Sequence, residues 1–120
     1  MIVDDDVQAA SLLERVVKMY SHQAVTVNKS GLAMETANSS HPDLFILDLM
    51  MPDINGFELC ALLRADSKFS NTPIIVVSAL EDEVSKAKAH NAGATDYITK
   101  PFDIVDLGQK IDFLLTNGKS

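Results

Sequence analysis

The sequence predicts an α/β domain with a doubly wound, five-stranded parallel sheet flanked by five helices, and three observations lead to this prediction. The chain has 120 residues, a length typical of one domain. Short, uniformly apolar segments, typical of strands covered on both faces, alternate with segments whose apolar residues recur at helical spacing. No repeat or low-complexity tract interrupts this alternation, so we expect a single domain over residues 1–120.

The predicted strands are short apolar runs, and most of them end in a polar residue. The first is the weakest, because only about three residues precede an acidic run, whereas strands usually have about five or six residues. In chain order the predicted strands are Met1–Asp4, Ala24–Val27, Leu44–Asp48, Ile74–Ser78 and Asp96–Thr99.

A segment with helical periodicity follows each predicted strand. In the first of these helices, apolar residues from Leu13 to Tyr20 recur at positions i, i+3, i+4 and i+7. The fourth ends close to Gly93, a residue type common just after a helix. The last has the strongest apolar stripe, although Gly108 inside it costs about 1 kcal/mol relative to alanine. The predicted helices run from about Val7 to Tyr20, Gly31 to Asn38, Gly56 to Arg64, Glu83 to Asn91 and Ile104 to Leu115.

The charge balance and the single cysteine exclude several classes of protein. Asp and Glu number 17 against 10 Lys and Arg, a net charge of -7, whereas direct binding of nucleic acid requires a basic face. Cys60 has no partner for an internal disulfide, which favours a reducing compartment. Apolar runs such as Ile74 to Val77 are far shorter than the roughly 20 residues that span a bilayer, and the N-terminus lacks a signal-peptide pattern. We therefore expect a cytoplasmic domain that contacts neither nucleic acid nor membrane directly.

Polar residues follow four of the predicted strands. Because the carboxyl ends of parallel strands meet at one edge of the sheet, we expect these side chains to form one site. Asp6 is the exception, since we interpret it as a cap of the first helix. The residues at the strand ends are Asp4 and Asp5 after the first strand, Asp48 after the third, Ser78 at the end of the fourth and Lys100 after the fifth.

This combination of side chains predicts phosphoryl-transfer chemistry. Two carboxylates about 4 Å apart repel by roughly 4 kcal/mol at an effective dielectric constant of about 20, so the cluster requires a cation or shifted pKa values. Oxygen ligands suit a hard cation such as Mg²⁺. Lys100 would pair with one phosphate oxygen, and Ser78 would donate a hydrogen bond to another. An aspartate can then act as the nucleophile and form an aspartyl-phosphate.

Five short motifs at these strand ends resemble one family. They are Val3-Asp4-Asp5, Asp48-Leu49-Met50-Met51-Pro52 with Gly56 following, Val77-Ser78-Ala79, Gly93-Ala94-Thr95-Asp96-Tyr97 and Lys100-Pro101-Phe102. In this order and spacing they closely resemble the receiver domain of bacterial two-component response regulators, from Ile2 to about Leu115. The resemblance implies a flavodoxin-like fold with the strand order 2-1-3-4-5.

The resemblance also implies a role for each site residue. Asp48 would be the phosphoacceptor, which takes a phosphoryl group from a sensor histidine kinase or a phosphotransfer protein. The ammonium group of Lys100 would pair with an oxygen of the phosphoryl group during catalysis. Ser78 and Tyr97 resemble the switch pair, in which the hydroxyl moves towards the phosphoryl group and the aromatic ring turns inward. The implied Mg²⁺ ligands are Asp4, Asp5, Asp48 and the backbone carbonyl of Met50.

Further expectations concern the partners and the chain end. The Lys100–Pro101 peptide bond is expected to be cis. The fourth helix, fifth strand and fifth helix, about Glu83 to Leu115, would form the face that contacts an effector domain or a partner protein. The sequence leaves open whether phosphorylation produces a homodimer. Residues 116–120 are interpreted as a tail or a truncated linker.

Two positions depart from the family's common pattern. Met50, two residues after the phosphoacceptor, and Leu80, two residues after the switch hydroxyl, are often polar in family members, where they help to orient hydrolytic water. We therefore expect slow autodephosphorylation and no enzymatic activity beyond this self-chemistry. Two alternatives stay open. An aspartate-nucleophile phosphatase of small molecules would usually carry an aspartate where Met50 stands, and a pseudo-receiver would bind its partner without phosphorylation.

Overall fold

The computed structural model, which describes residues 1–117, is a parallel sheet with helices on both faces. Its elements are β1 (Ile2–Val3), α1 (Val7–Met19), β2 (Thr26–Val27), α2 (Ala33–Ser40), β3 (Phe45–Leu47), α3 (Gly56–Ala65), β4 (Ile74–Ser78), α4 (Glu83–Ala92), β5 (Asp96–Thr99) and α5 (Ile104–Asn117). The strand order is β2-β1-β3-β4-β5. The predicted flavodoxin-like fold class and strand order are confirmed.

The observed strands β1, β2 and β3 are shorter than predicted, although backbone hydrogen bonding continues past their ends. The Met1 carbonyl accepts from the Ile46 N–H at 2.8 Å, and the Asp4 N–H donates to the Val27 carbonyl at 3.1 Å. The second predicted helix also differs. A 3₁₀ turn at Ser30–Leu32 precedes α2, which then extends to Ser40, two residues beyond the predicted end.

The two faces of the sheet are covered by different helices, because successive residues of a strand point to opposite sides. One face packs against α2, α3 and α4, and the other packs against α1 and α5. Cys60 of α3 is buried on the first side as a free thiol within the core. The strand residues on the first face are Val3, Val27, Phe45, Leu47, Ile74 and Val76, and those on the second are Ile2, Ile46, Ile75 and Val77.

Gly108 in α5 allows α1 and α5 to approach closely. A Cβ atom at position 108 would overlap the aromatic ring of Tyr20, the residue that follows α1. The helix-weakening glycine noted in the sequence therefore has a packing reason, since the Tyr20 ring occupies the space of a side chain.

α5 ends at Asn117, so residues 116 and 117 belong to this helix. The rest of the predicted tail, residues 118–120, lies outside the described residues. Among residues 1–117, no helix is both long enough and apolar enough to cross a membrane.

Candidate functional site

Three carboxylates come together at the carboxyl edge of the sheet. Asp4, Asp5 and Asp48 each place a carboxylate oxygen within 4.8 Å of the others. The pairing of β1 with β3 explains this, because Val3 is in register with Leu47 and the next residue of each chain segment is an aspartate. Asp4 is fully buried, Asp48 is half-buried and Asp5 is exposed. The cluster therefore extends from the protein interior to the surface.

Lys100 brings one positive charge to this cluster. Its Nζ lies 3.4 Å from Oδ2 of Asp4 and 3.9 Å from Oδ2 of Asp48. The Lys100 N–H donates to the Ser78 carbonyl at 2.8 Å, which continues the β4–β5 ladder. The following peptide bond to Pro101 is cis, as predicted. The ammonium thus lies between two of the three acids and is 26% exposed.

The environment of Asp48 disfavours its charged form. Burial raises the pKa of the Asp48 carboxyl above its ordinary value of 3.8, and the negative charge of Asp4 raises it further. Lys100 and the backbone N–H groups of Leu49 and Met50 act in the opposite direction, since they stabilise the carboxylate, but they do not cancel the effect of burial. Additional positive charge near Asp48 would therefore favour its ionised form.

The donor set fits a hard divalent cation. All three acidic groups offer oxygen ligands, and the single lysine leaves the cluster with excess negative charge when the acids are ionised. Mg²⁺ prefers oxygen ligands and is commonly bound through a few carboxylates with water completing the shell. The residues present therefore fit Mg²⁺. Met50, whose backbone carbonyl was the other predicted ligand, is 62% exposed and lies two residues after Asp48.

Ser78 and Tyr97 both hydrogen-bond to the backbone of Leu80. The Leu80 N–H donates to Oγ of Ser78 at 3.2 Å, and the Tyr97 hydroxyl donates to the Leu80 carbonyl at 2.5 Å. Ser78 is fully buried, and the Tyr97 ring packs against the core on the side of α2, α3 and α4. Burial raises the pKa of the Tyr97 phenol, so the hydroxyl is a neutral donor. The two predicted switch residues are thus joined both by a direct side-chain hydrogen bond and through Leu80 of the β4–α4 loop.

Two polar residues near the site had no signal in the sequence. Nδ2 of Asn28 donates to the Asp4 carbonyl at 2.9 Å. The Ser30 hydroxyl donates to the Pro52 carbonyl at 2.7 Å and accepts from the Ile54 N–H at 3.1 Å. Both residues follow β2 and contact segments more than 20 positions away, so no local spacing could have indicated them.

The start of α3 lies directly against the backbone of Asp48. A Cβ atom at Gly56 would overlap the Asp48 carbonyl oxygen and crowd the Cα of Leu49. The Gly56 N–H donates to the Leu49 carbonyl at 3.0 Å, which closes the loop of residues 49–55. Asn55 caps α3 through a capping box with Glu58. The loop beside Asp48 therefore has fixed ends.

The fold and the site together define a class of protein, namely a flavodoxin-like α/β domain with an acidic, lysine-paired site at the carboxyl edge of its sheet. More specifically, the chain belongs to the response regulator receiver domain family, which matches residues 1–112. It is therefore a receiver domain of the response regulators of two-component systems. The family resemblance of the sequence motifs is confirmed.

Individual relatives show how far this similarity extends. The response regulator ArlR of Staphylococcus aureus is 37% identical over 115 residues, which cover 96% of this chain and 51% of ArlR. This chain spans about half the length of the curated relatives it matches. The receiver domain of the Francisella response regulator 1452 has a TM-score of 0.90 at 29% identity, covering 98% of this chain and 96% of that one. The signal receiver domain of a Syntrophus aciditrophicus histidine kinase also has a TM-score of 0.90, at 30% identity, with 98% and 89% covered.

Proposed function

We propose that this domain is a phosphorylation-controlled signalling switch in which Asp48 accepts a phosphoryl group from phosphohistidine on a histidine kinase or a phosphotransfer protein. The observation that supports this proposal most strongly is the cluster of carboxylates within 4.8 Å of one another, with Nζ of Lys100 at 3.4 Å from Asp4. A structural role as a turn residue or a helix cap would explain a single carboxylate, but it would not explain why three lie together. Gathering three of them is unfavourable without a bound cation, so a binding role accounts for the cluster better than a purely structural one.

The proposed transfer step uses Asp48 as a nucleophile. An oxygen of its carboxylate attacks phosphorus while the phosphorus–nitrogen bond to the donor imidazole breaks, and the electron pair of that bond stays on the nitrogen. Bound Mg²⁺, held by the three carboxylates and the backbone carbonyl of Met50, would supply positive charge for the phosphoryl oxygens. Lys100 already lies 3.9 Å from Asp48, so its ammonium needs only a small movement to pair with a phosphoryl oxygen.

Switching is proposed to begin at Ser78. A phosphoryl group on Asp48 offers the hydroxyl proton of Ser78 a charged acceptor, which forms a stronger hydrogen bond than its neutral side-chain contact with Tyr97. Movement of Ser78 would then disturb Leu80 and, through the Leu80 carbonyl, the hydroxyl of Tyr97. Because Tyr97 belongs to β5, this rearrangement reaches the face formed by α4, β5 and α5. We propose that this face contacts the effector domain or partner protein.

Intact-mass measurement after incubation with acetyl phosphate and Mg²⁺ tests the phosphoacceptor role. We expect a single phosphoryl adduct that disappears in Asp48→Ala and persists in Asp53→Asn, a matched removal of a nearby loop carboxyl. Continuous release of phosphate over many turnovers would instead support the small-molecule phosphatase, and the absence of an adduct in the unchanged protein would support the pseudo-receiver. Omission of Mg²⁺ should prevent adduct formation.

Further proposals concern the partners and the cellular location of this domain. Curated relatives are about twice as long as this chain, so we propose that an effector domain or a separate partner protein reads the phosphorylated state. The excess of acidic residues argues against direct contact of this domain with nucleic acid. We propose a cytoplasmic location, in keeping with the free, buried thiol of Cys60.

A further inference from the structure

Ser30, in the turn before α2, is a buried serine that contacts the loop following Asp48. It is 3% exposed. Its hydroxyl donates to the Pro52 carbonyl at 2.7 Å and accepts from the Ile54 N–H at 3.1 Å. These two groups flank Asp53, whose φ of 67° places it in the left-handed region. One hydroxyl from a distant part of the chain therefore holds the backbone on both sides of a left-handed residue.

The loop needs such a restraint because its middle is strained. Residues other than glycine adopt the left-handed region at an energetic cost, although aspartate tolerates it better than most. The ends of the loop are held by the hydrogen bond between Gly56 and Leu49 and by the capping of α3. The middle of the loop is held by Ser30. Loss of its hydroxyl would leave the conformation at Asp53 without this support.

The segment that carries Ser30 also contacts the acidic cluster. Nδ2 of Asn28 donates to the backbone carbonyl of Asp4 at 2.9 Å. Residues 28–30 therefore touch the end of β1 and the loop after β3, which are the two chain segments that contribute the carboxylates. Both described contacts of the Ser30 hydroxyl go to the loop, and it caps neither the turn nor α2.

We infer that Ser30 is a positioning residue for the Mg²⁺ site, an inference that rests on the proposed function. It contacts no ligand. It acts through Pro52 and Ile54, which set the course of the loop between Asp48 and α3, and Met50 lies in that loop. Its effect is to hold the backbone of Met50 next to the carboxylates before a cation binds. Without this hold, binding of the cation must also order the loop, and the affinity falls.

The affinity for Mn²⁺ alone, with no phosphodonor present, tests this role. Free Mn²⁺ is measured by electron paramagnetic resonance for the unchanged protein and for Ser30→Ala, Ser30→Thr, Ile111→Val and Asp5→Ala. Groups that orient metal ligands typically contribute 10–100-fold to affinity, so we expect Ser30→Ala to bind Mn²⁺ about tenfold more weakly. Ser30→Thr keeps the hydroxyl and should bind as the unchanged protein does. Ile111→Val, a small cavity in α5 on the other face of the sheet, lowers stability away from the loop and should leave the affinity unchanged.

All measurements are made at a temperature at which circular dichroism shows each variant to be folded. If Ser30→Ala does not fold, Ser30→Cys replaces it, because a thiol keeps the volume but is a weak hydrogen-bonding group. Unchanged Mn²⁺ affinity in the variant that lacks the hydroxyl, or an equal loss in Ile111→Val, would overturn the positioning role while leaving the proposed function intact. Failure of the unchanged protein to bind Mn²⁺, or equal binding by Asp5→Ala, would overturn both.

Discussion

Removal of the Asp5 carboxylate should change the thermal stability of the domain in opposite directions with and without Mg²⁺. Asp5 shares the cluster with two other carboxylates, all within 4.8 Å. At a separation of 4.8 Å, two unit charges repel by about 0.9 kcal/mol in water and by about 3.5 kcal/mol at an effective dielectric constant of about 20. Because Asp5 is exposed and Lys100 already offsets charge on Asp4 and Asp48, the lower value applies.

Asp5→Ala should therefore stabilise the metal-free domain by about 1 kcal/mol, which for a chain of this size raises the melting temperature by about 4 °C. With Mg²⁺ at about ten times its dissociation constant, the unchanged protein gains about 1.4 kcal/mol from binding. The variant loses most of this gain, because a ligand is missing. The melting temperatures of the two proteins should thus cross between EDTA and Mg²⁺.

Differential scanning calorimetry in EDTA and in a series of Mg²⁺ concentrations measures both effects. Glu35→Gln is the control, because it removes one exposed negative charge from α2, outside the acidic cluster, and should leave the Mg²⁺ response unchanged. If Asp5→Ala melts below the unchanged protein in EDTA and still gains as much from Mg²⁺, the three carboxylates do not form a cation site.

Three further predictions concern Met50, Asp48 and the packing of α5 against Tyr20. Met50→Asn should shorten the lifetime of the phosphoryl group, because an amide close to Asp48 can orient a hydrolytic water molecule. The rate at which purified phosphoprotein loses its radiolabel measures this lifetime. An unchanged rate would contradict the reasoning. The pKa of Asp48 is raised on folding, so its ionisation destabilises the metal-free fold as pH rises above the ordinary value of 3.8. Asp48→Asn should therefore melt higher than the unchanged protein in EDTA at neutral pH, and this advantage should disappear below pH 3.8, whereas an advantage independent of pH would exclude this cause. Gly108→Ala should destabilise by about 1–3 kcal/mol in urea denaturation because of its overlap with Tyr20, while Gly31→Ala, with open space around it, should be nearly neutral, and equal effects would refute the packing explanation.

The sequence predicted the acidic site because it follows from strand-end patterns combined with parallel topology, whereas the strand order was implied by the family resemblance. β4, buried along its full length, was predicted with its observed bounds, Ile74–Ser78. The family resemblance also implied the cis bond before Pro101. Asp4 and Asp48 were placed together because both end strands at the carboxyl edge of the sheet, and in the structure the pairing of β1 with β3 brings them side by side. Features carried by residues at the strand ends could therefore be predicted from the sequence.

Long-range hydrogen bonds were not predictable in this way. Arg64 donates to the carbonyls of Gly93, Phe69 and Thr72 and to the hydroxyl of Thr95, and it thereby joins the end of α3 to the segments before β4 and β5. The sequence shows Arg64 only as a charge in the last turn of a helix. Ser30 is a similar case, because its partners are 22 and 24 positions away. Such contacts depend on the packed arrangement and leave no periodic signal.

Gly56 packs closely against the backbone of Asp48, and this contact limits which sequence changes the domain can accept. The span from Asp48 to α3 has a set length, because inserting or deleting a residue would move the start of the helix away from the backbone of Asp48, against which Gly56 packs. The exposed side chain of Met50 in this span is free to differ, whereas Leu49 and Met51 are buried in the core. If Asp48 is phosphorylated as proposed, signal duration can be tuned at Met50 by exchanging one residue for another, whereas lengthening or shortening the segment would dismantle the site.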